Sequence, residues 1–371
     1  MARGGRLFSV AALVAALLVA DGDDAERSDE SRALRQARDR ASHVAVWDAA
    51  HVYTTFLSCH DGRCAVTLAA TGDGGRTWAR RPLPLDTVGA DGPDRRATNF
   101  RLSVLGPGIL RLWWPVWQPG QAWWSTDAGV TWRSVPAALP VVRSVPPGWV
   151  PLERRAESPR IGAETPALPV GDPATGAAAL LPVRSLSPFL SPAGAADRPL
   201  WSSGSRKYPN LLLVSDDRGA STRVVQPWAD APDLCPVAAV APDGTVYAVT
   251  TRTPQGEPLL SRSADGGRSW ESLAAAGLGF GRELFAVAAP PDGTLVVASE
   301  YLYDQRFHVS RDGGRTFTEL AVRDFPREAF GFVPLPGGGY ASTDVLDAFE
   351  VDSLAVSDDL RTWRTLTPPT R

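Results

Sequence analysis

Three arginines and three acids in this chain stand where they could hold an acidic ligand. Arg101 lies in Asn99-Phe100-Arg101-Leu102-Ser103, 24 residues ahead of Ser125. When the apolar runs that carry them are aligned by their following turns, Asp233, Arg282 and Arg327 fall in the register of Arg101, with Glu283 and Glu328 next to the last two. Guanidinium groups gathered at one mouth would clasp a carboxylate in bidentate fashion. The same arginines and glutamates could instead pair with one another between neighbouring repeats and close that mouth.

Two further groups have chemistry to offer. Trp113-Trp114-Pro-Val-Trp117-Gln-Pro-Gly-Gln-Ala-Trp123-Trp124 holds five of the 13 tryptophans within 12 residues. Strand alternation would bury some of these indoles and leave others outside, where they form platforms for a sugar ring or a protein partner. In Cys59-His60-Asp61-Gly62-Arg63-Cys64 two cysteines flank an Asp-Gly turn, so facing strands would bring them within bonding reach. A disulfide is expected there in an oxidising compartment, and Cys235 is left over. Zinc is the poorer reading, because Cys59, His60 and Cys64 have the wrong spacing and no fourth ligand is in view. No metal or cofactor is expected.

The elements that must position these residues are marked by one recurring stretch, Ser263-Ala-Asp265-Gly-Gly267-Arg-Ser269-Trp270. It returns as Thr71 to Trp78 around Asp73, Ser125 to Trp132 around Asp127, and Ser310 to Phe317 around Asp312. Two copies are worn: Ser215 to Thr222 around Asp217 lacks the aromatic, and Ser357 to Trp363 around Asp359 is one residue short. The spacing reads as a tight turn between strands. Asp accepts bonds from amides further along, Gly takes the positive φ, and the hydroxyl residues tie down the ends. The closing aromatic opens the next strand and buries a ring beside the turn. Asp73, Asp127, Asp217, Asp265, Asp312 and Asp359 are therefore read as turn holders and not as catalysts.

This pattern resembles the Asp-box, or BNR repeat, of β-propellers in the sialidase-like superfamily, over residues 44 to 371. The resemblance implies an all-β propeller of four-stranded blades. Ala241-Pro-Asp243-Gly244 and Pro291-Asp292-Gly293 supply inner hairpins about 20 residues before a box, and successive box aspartates lie 48, 47 and 47 residues apart from Asp217 to Asp359. Asp127 and Asp217 lie 90 apart. Either a box-less blade fills that interval, giving seven, or one blade carries a long insertion and the total is six; seven is preferred.

The superfamily also suggests what to look for. Phe100-Arg101-Leu102-Ser103 partly matches the Phe/Tyr-Arg-x-Pro motif of sialidases, with Ser103 where proline would stand. Those enzymes add two more clamp arginines, a Tyr–Glu nucleophile pair and an Asp acid. Here Tyr301 and Tyr303 beside Glu300, and Tyr340, come with no activating motif. Xyloglucanases use a cleft between two propellers, and the chain has length for one. The similarity to the photosystem II assembly family is one of fold, and its arginine patch finds no residue-by-residue match. Secreted bacterial Asp-box proteins of unassigned activity are similar in their boxes and cysteine hairpin. The expectation is thus a non-catalytic binding or assembly module, monomeric, with a protein or carbohydrate ligand outside the cell; a sialidase-type glycoside hydrolase is the alternative.

Residues 1–20 carry Arg3 and Arg6 ahead of a short apolar run, as a secretory signal peptide does, with an uncleaved anchor as the second reading. Residues 21–42 are too charged to form a core and read as a tether, leaving the propeller to 43–371. The 33 Pro, 34 Gly and single Met suit short strands and turns. A net charge of -3 lacks the basic footprint of a nucleic-acid binder, and no membrane span is expected beyond the signal segment.

Overall fold

A computed structural model describes residues 41–60, 63–85, 100–113, 121–152, 160–161, 165–182, 200–203, 212–228, 236–251, 258–278, 283–301, 304–326, 329, 331–342 and 354–368. These residues are all-β and form seven successive sheets. The first comprises β1 (Ala41–Val46), β2 (Val52–His60), β3 (Arg63–Thr71) and β4 (Ala79–Pro82), and the second β5 (Arg101–Gly106), β6 (Ile109–Trp113), β7 (Ala122–Ser125) and β8 (Arg133–Val135). In the third, β9 (Val150–Pro151) and β10 (Arg160–Ile161) pair end to end along β11 (Thr165–Gly171), which pairs with β12 (Ala178–Pro182). The fourth has three strands, β13 (Leu200–Ser203), β14 (Leu212–Ser215) and β15 (Arg223–Val225). Then come β16 (Val237–Val240), β17 (Val246–Thr251), β18 (Pro258–Ser263) and β19 (Glu271–Leu273). The sixth sheet is β20 (Glu283–Ala288), β21 (Leu295–Tyr301), β22 (Asp304–Ser310) and β23 (Thr318–Glu319). The seventh is β24 (Phe332–Pro334), β25 (Tyr340–Ser342), β26 (Leu354–Ser357) and β27 (Arg364–Leu366). This is a β-propeller.

The burial of each strand follows from its place in its sheet. Middle strands are covered on both faces, so β26 and the run from Leu295 to Ala298 are buried throughout and read as unbroken apolar runs instead of alternating ones. Fourth strands have one neighbour and expose charged residues, as Arg80 and Arg133 show. Side chains interdigitate between consecutive sheets. Leu68 and Tyr53 meet Leu102 and Leu110, Val249 and Leu260 meet Val287 and Val297, and Ala298 and Phe307 meet Ala355 and Trp363.

Among the described residues, the ring closes without exchanging a strand. Val46, Val52, Phe56 and Ala69 of the first sheet pack on Leu335, Leu354, Val356 and Leu366 of the last. Two polar stitches cross the same seam, Gly337 N to Trp47 O at 2.8 Å and Arg364 Nη2 to Ala49 O at 2.8 Å.

The third sheet departs from the repeat. Its outer edge is bridged in parallel by Val141 against Leu180, and Val145 N donates to Arg218 O in the turn of the fourth sheet at 2.8 Å. The interval of 90 residues therefore contains a complete sheet and two strands of the next.

Candidate functional site

The recurring turns are built the same way in each sheet that has one. In the turn after β18, Asp265 accepts from Ser263 Oγ at 2.8 Å, Ser269 N at 2.9 Å and Ser269 Oγ at 2.6 Å, while Ser263 Oγ accepts from Gly267 N at 2.7 Å. The set repeats around Asp73, Asp127, Asp217 and Asp312. The Thr77 hydroxyl and amide hold the Asp73 carboxyl down at about 2, and those of Ser221 do the same for Asp217. The short copy keeps the geometry differently: Leu360 takes a φ of 63° and its amide donates to Ser357 Oγ at 2.9 Å. Carboxylates whose lone pairs are filled by their own turn are structural.

These turns and the connections between first and second strands gather on one face. Arg81 on β4 donates to Asp127 O at 3.0 Å and to Ala128 O in the next sheet's turn. Arg223 on β15 reaches Gly267 O and Gly266 O likewise, and Arg133 reaches Thr175 O at 3.2 Å. Each guanidinium thus ties one sheet to the backbone of its successor. The inner strands begin at the opposite end of the ring.

Of the proposed mouth, Arg101 and the backbone of Glu283 are described; Asp233, Arg282, Arg327 and Glu328 lie outside the described residues. Arg101 opens β5 and is part-buried. The two described members do not share a level, however. Leu110 and Leu295 each pair with the serine that opens the turn, Ser125 and Ser310. Counted from them, Arg101 pairs with the fourth residue, Trp113, and Glu283 with the sixth, Glu300. Two rows separate them, about 7 Å along the strand. Each of these inner strands has one β-bulge between its turn and the residue in question, between Val104 and Gly106 in β5 and between Leu284 and Ala286 in β20, so the bulges cancel and the offset reflects how much farther Glu283 stands from its turn.

His43 on the neighbouring sheet shares the level of Arg101: it pairs with Thr55, the fourth residue counting from Val52, which itself pairs with Thr71. Its ring meets Phe100 edge-on, centroids 4.6 Å apart. An imidazole and a guanidinium therefore stand on the inner strands of adjacent sheets. Sequence inspection passed over His43 because no turn motif lies nearby.

The aromatic stretch divides. Trp113 is 2% exposed and donates from Nε1 to Ser103 Oγ at 2.9 Å, so it is core and not surface, and the serine that replaces the motif proline is its acceptor. Trp123 packs into the cluster between the first two sheets. Trp124 is part-buried, with the Arg133 guanidinium 4.5 Å above its ring. Trp114 and Trp117 lie outside the described residues.

Two buried ionisable groups escaped the sequence reading. Arg111 is fully buried, donates to Gly176 O and to Pro136 O at 3.1 Å, and has its pKa pulled to about 10 by desolvation. It occupies the slot filled by Tyr53 and Tyr247 in other sheets; the clue was a single cation within Ile109-Leu-Arg-Leu-Trp113. His308 is buried on β22, and desolvation lowers its pKa. Cys59 and Cys64 face each other in register, and Cys235 lies outside the described residues. Among the described residues, no three His, Cys, Asp or Glu are grouped to hold a metal, and no helix is long and apolar enough to cross a membrane.

No protein-family pattern matches the chain, and no curated protein does. Solved structures do. A structure described as YCF48 bound to D1 peptide is 15% identical, covering 89% of this chain and 92% of its own, with a TM-score of 0.48. TolB from Acinetobacter baumannii is 13% identical over 85% and 79%, at 0.40, and the Hadza microbial sialidase Hz136 is 13% identical over 88% and 65%, at 0.31. What these share with the chain is the β-propeller fold.

Proposed function

We propose that this protein is an Asp-box propeller exported by its N-terminal segment, which works outside the cytoplasm as a binding or assembly module without chemistry of its own. One observation carries the reading: the two faces of the ring are unlike. On the turn face the connections are short and regular, as at 72–78, 126–132, 264–270 and 311–317, and their hydrogen bonds are satisfied locally. On the other face the connections vary from 61–62 to 83–100 and 343–353. Variable loops displayed by a rigid scaffold are where recognition resides. The partner proposed is a protein or carbohydrate ligand met at that face, near the inner level of His43 and Arg101. A sialidase-type clamp needs its arginines at one level, and Arg282 and Arg327, which would complete it beside Arg101, lie outside the described residues.

The test places a photo-crosslinking residue at Pro258 on the variable face or at Asp243 on the turn face, in cells of the source organism. Adducts from position 258 and not from 243 are expected. Adducts from 243 alone, or Arg101-dependent release of a fluorophore from a sialic-acid glycoside by the purified protein, would overturn the reading.

A further inference from the structure

One step before the residue that opens the Asp turn, a cross-strand row runs over the second, third and fourth strands. It reads Tyr53, Ala70, Ala79 in the first sheet, Tyr247, Arg262, Glu271 in the fifth and Val296, Val309, Thr318 in the sixth. In the second sheet it reads Arg111, Trp124, Arg133, two guanidiniums and no carboxylate. The fifth sheet balances its own cation, with Arg262 Nε on Glu271 at 2.6 Å. In the first, the slot of Arg111 holds a neutral hydroxyl, and Tyr53 accepts from Gly108 N at 2.7 Å.

Arg111 is 0% exposed. Its Nη1 and Nη2 are spent on neutral acceptors, Gly176 O and Pro136 O, and its Nε–H has no partner among the described residues. The indole Nε1–H of Trp124, directly opposite on β7, is likewise buried and without a partner among them. Both side chains abut one residue of the third sheet. A Cβ placed on Gly176 would lie 2.3 Å from Trp124 Cγ and 2.5 Å from Cδ1, so the pyrrole edge of the indole rests on the glycine whose carbonyl takes Arg111. Arg133 completes the group, with its guanidinium 4.5 Å from the Trp124 ring centroid and its Nη2 on Thr175 O.

Carbonyl dipoles orient a guanidinium but leave its charge uncompensated, and a buried charge without a counter-charge is costly. The facing turn carries a carboxylate, Asp172, whose oxygens are taken by Ala174 N and Thr175 Oγ1 within that turn. A buried water would satisfy the free N–H groups and leave the charge unbalanced, whereas an anion does both. Packing this close around Gly176 favours a monatomic ion over a carboxylate or a phosphate.

We propose that Arg111 Nε and Trp124 Nε1 bind a chloride ion between the second and third sheets. The ion is a counter-charge built into the ring at its junction with the sheet that lacks an Asp turn of the recurring kind. Because it is held by the folded chain and not by the unfolded one, it stabilises the ring by mass action and needs no partner protein.

The experiment melts the purified chain in rising sodium chloride, with sodium gluconate keeping the ionic strength constant because gluconate is too large for the site. Tm should rise by about 5 °C between low-millimolar chloride and a hundredfold excess. Trp124→Phe keeps a ring and loses the N–H, and should at least halve the rise. Arg111→Met should abolish it while melting in gluconate within a few degrees of the parent chain. Crystals grown in bromide should show the anomalous signal of the ion between the two nitrogens. A flat Tm in the parent chain, an equal rise in both variants, or a water without anomalous signal at that place would overturn the proposal. Should Arg111→Met fail to fold, Trp124→Phe and the bromide crystals decide between the same outcomes.

Discussion

Asp73 and Asp217 show what a carboxylate does when its own turn consumes it. Both titrate near 2 instead of 3.8 because hydroxyl and amide donors favour the charged form. The folded state thus binds these protons less readily than the unfolded chain, so the stability they lend is whole above about 3.8 and is lost as pH falls through about 2. Asp265→Asn should lower Tm by a few degrees at pH 7 and reduce the acid sensitivity, which thermal melts between pH 2 and 7 would read. His308 acts at milder pH. Burial depresses its pKa below 6.5, with Glu319 opposing and Arg306 reinforcing the shift, so stability should decline as pH drops below 6.5. His308→Gln should flatten that decline. Arg111 presents the opposite case, a buried cation held by carbonyls. Arg111→Met should be near neutral, whereas Arg111→Ala should cost about 3 kcal/mol in denaturant melts, from the cavity and the unpaired carbonyls.

Elements are joined where a turn presses on the neighbouring sheet. Gly75 has a φ of 83°, and a Cβ there would stand 2.8 Å from Leu366 Cδ2; Gly314, at 91°, would meet Leu260 Cδ2 at the same distance. The glycine is thus required twice, by backbone conformation and by the adjacent sheet. Gly314→Ala should cost about 2 kcal/mol, and Leu260→Val in the same chain should restore part but not all of it, since the φ strain remains. The turn chemistry of these elements was legible in the sequence because each donor and acceptor lies within a few residues of its partner. The offset between Arg101 and Glu283 was not, because the row of an inner-strand residue is known only once its cross-strand partner is known.

At the scale of the whole ring, closure among the described residues rests on packing, with hydrogen bonds such as Gly337 N to Trp47 O across the seam, and not on a shared strand. Leu366→Ala should therefore cost about 2–4 kcal/mol and open the seam first, with amide exchange rising in β1 and β26 before β14. A loss spread evenly over all sheets would argue for a ring that unfolds as one unit. The sequence by itself determined the all-β repeat and the role of its aspartates, since periodicity and turn chemistry are local. It also brought the two cysteines of the hairpin face to face, because only two residues separate the strands. The tertiary structure alone decided that Trp113 is core, that Arg111 is buried between carbonyls of distant segments, and that His43 keeps company with Arg101. Each of these depends on which sheet lies against which, and at what row, and that is fixed by side-chain packing between segments far apart in the chain.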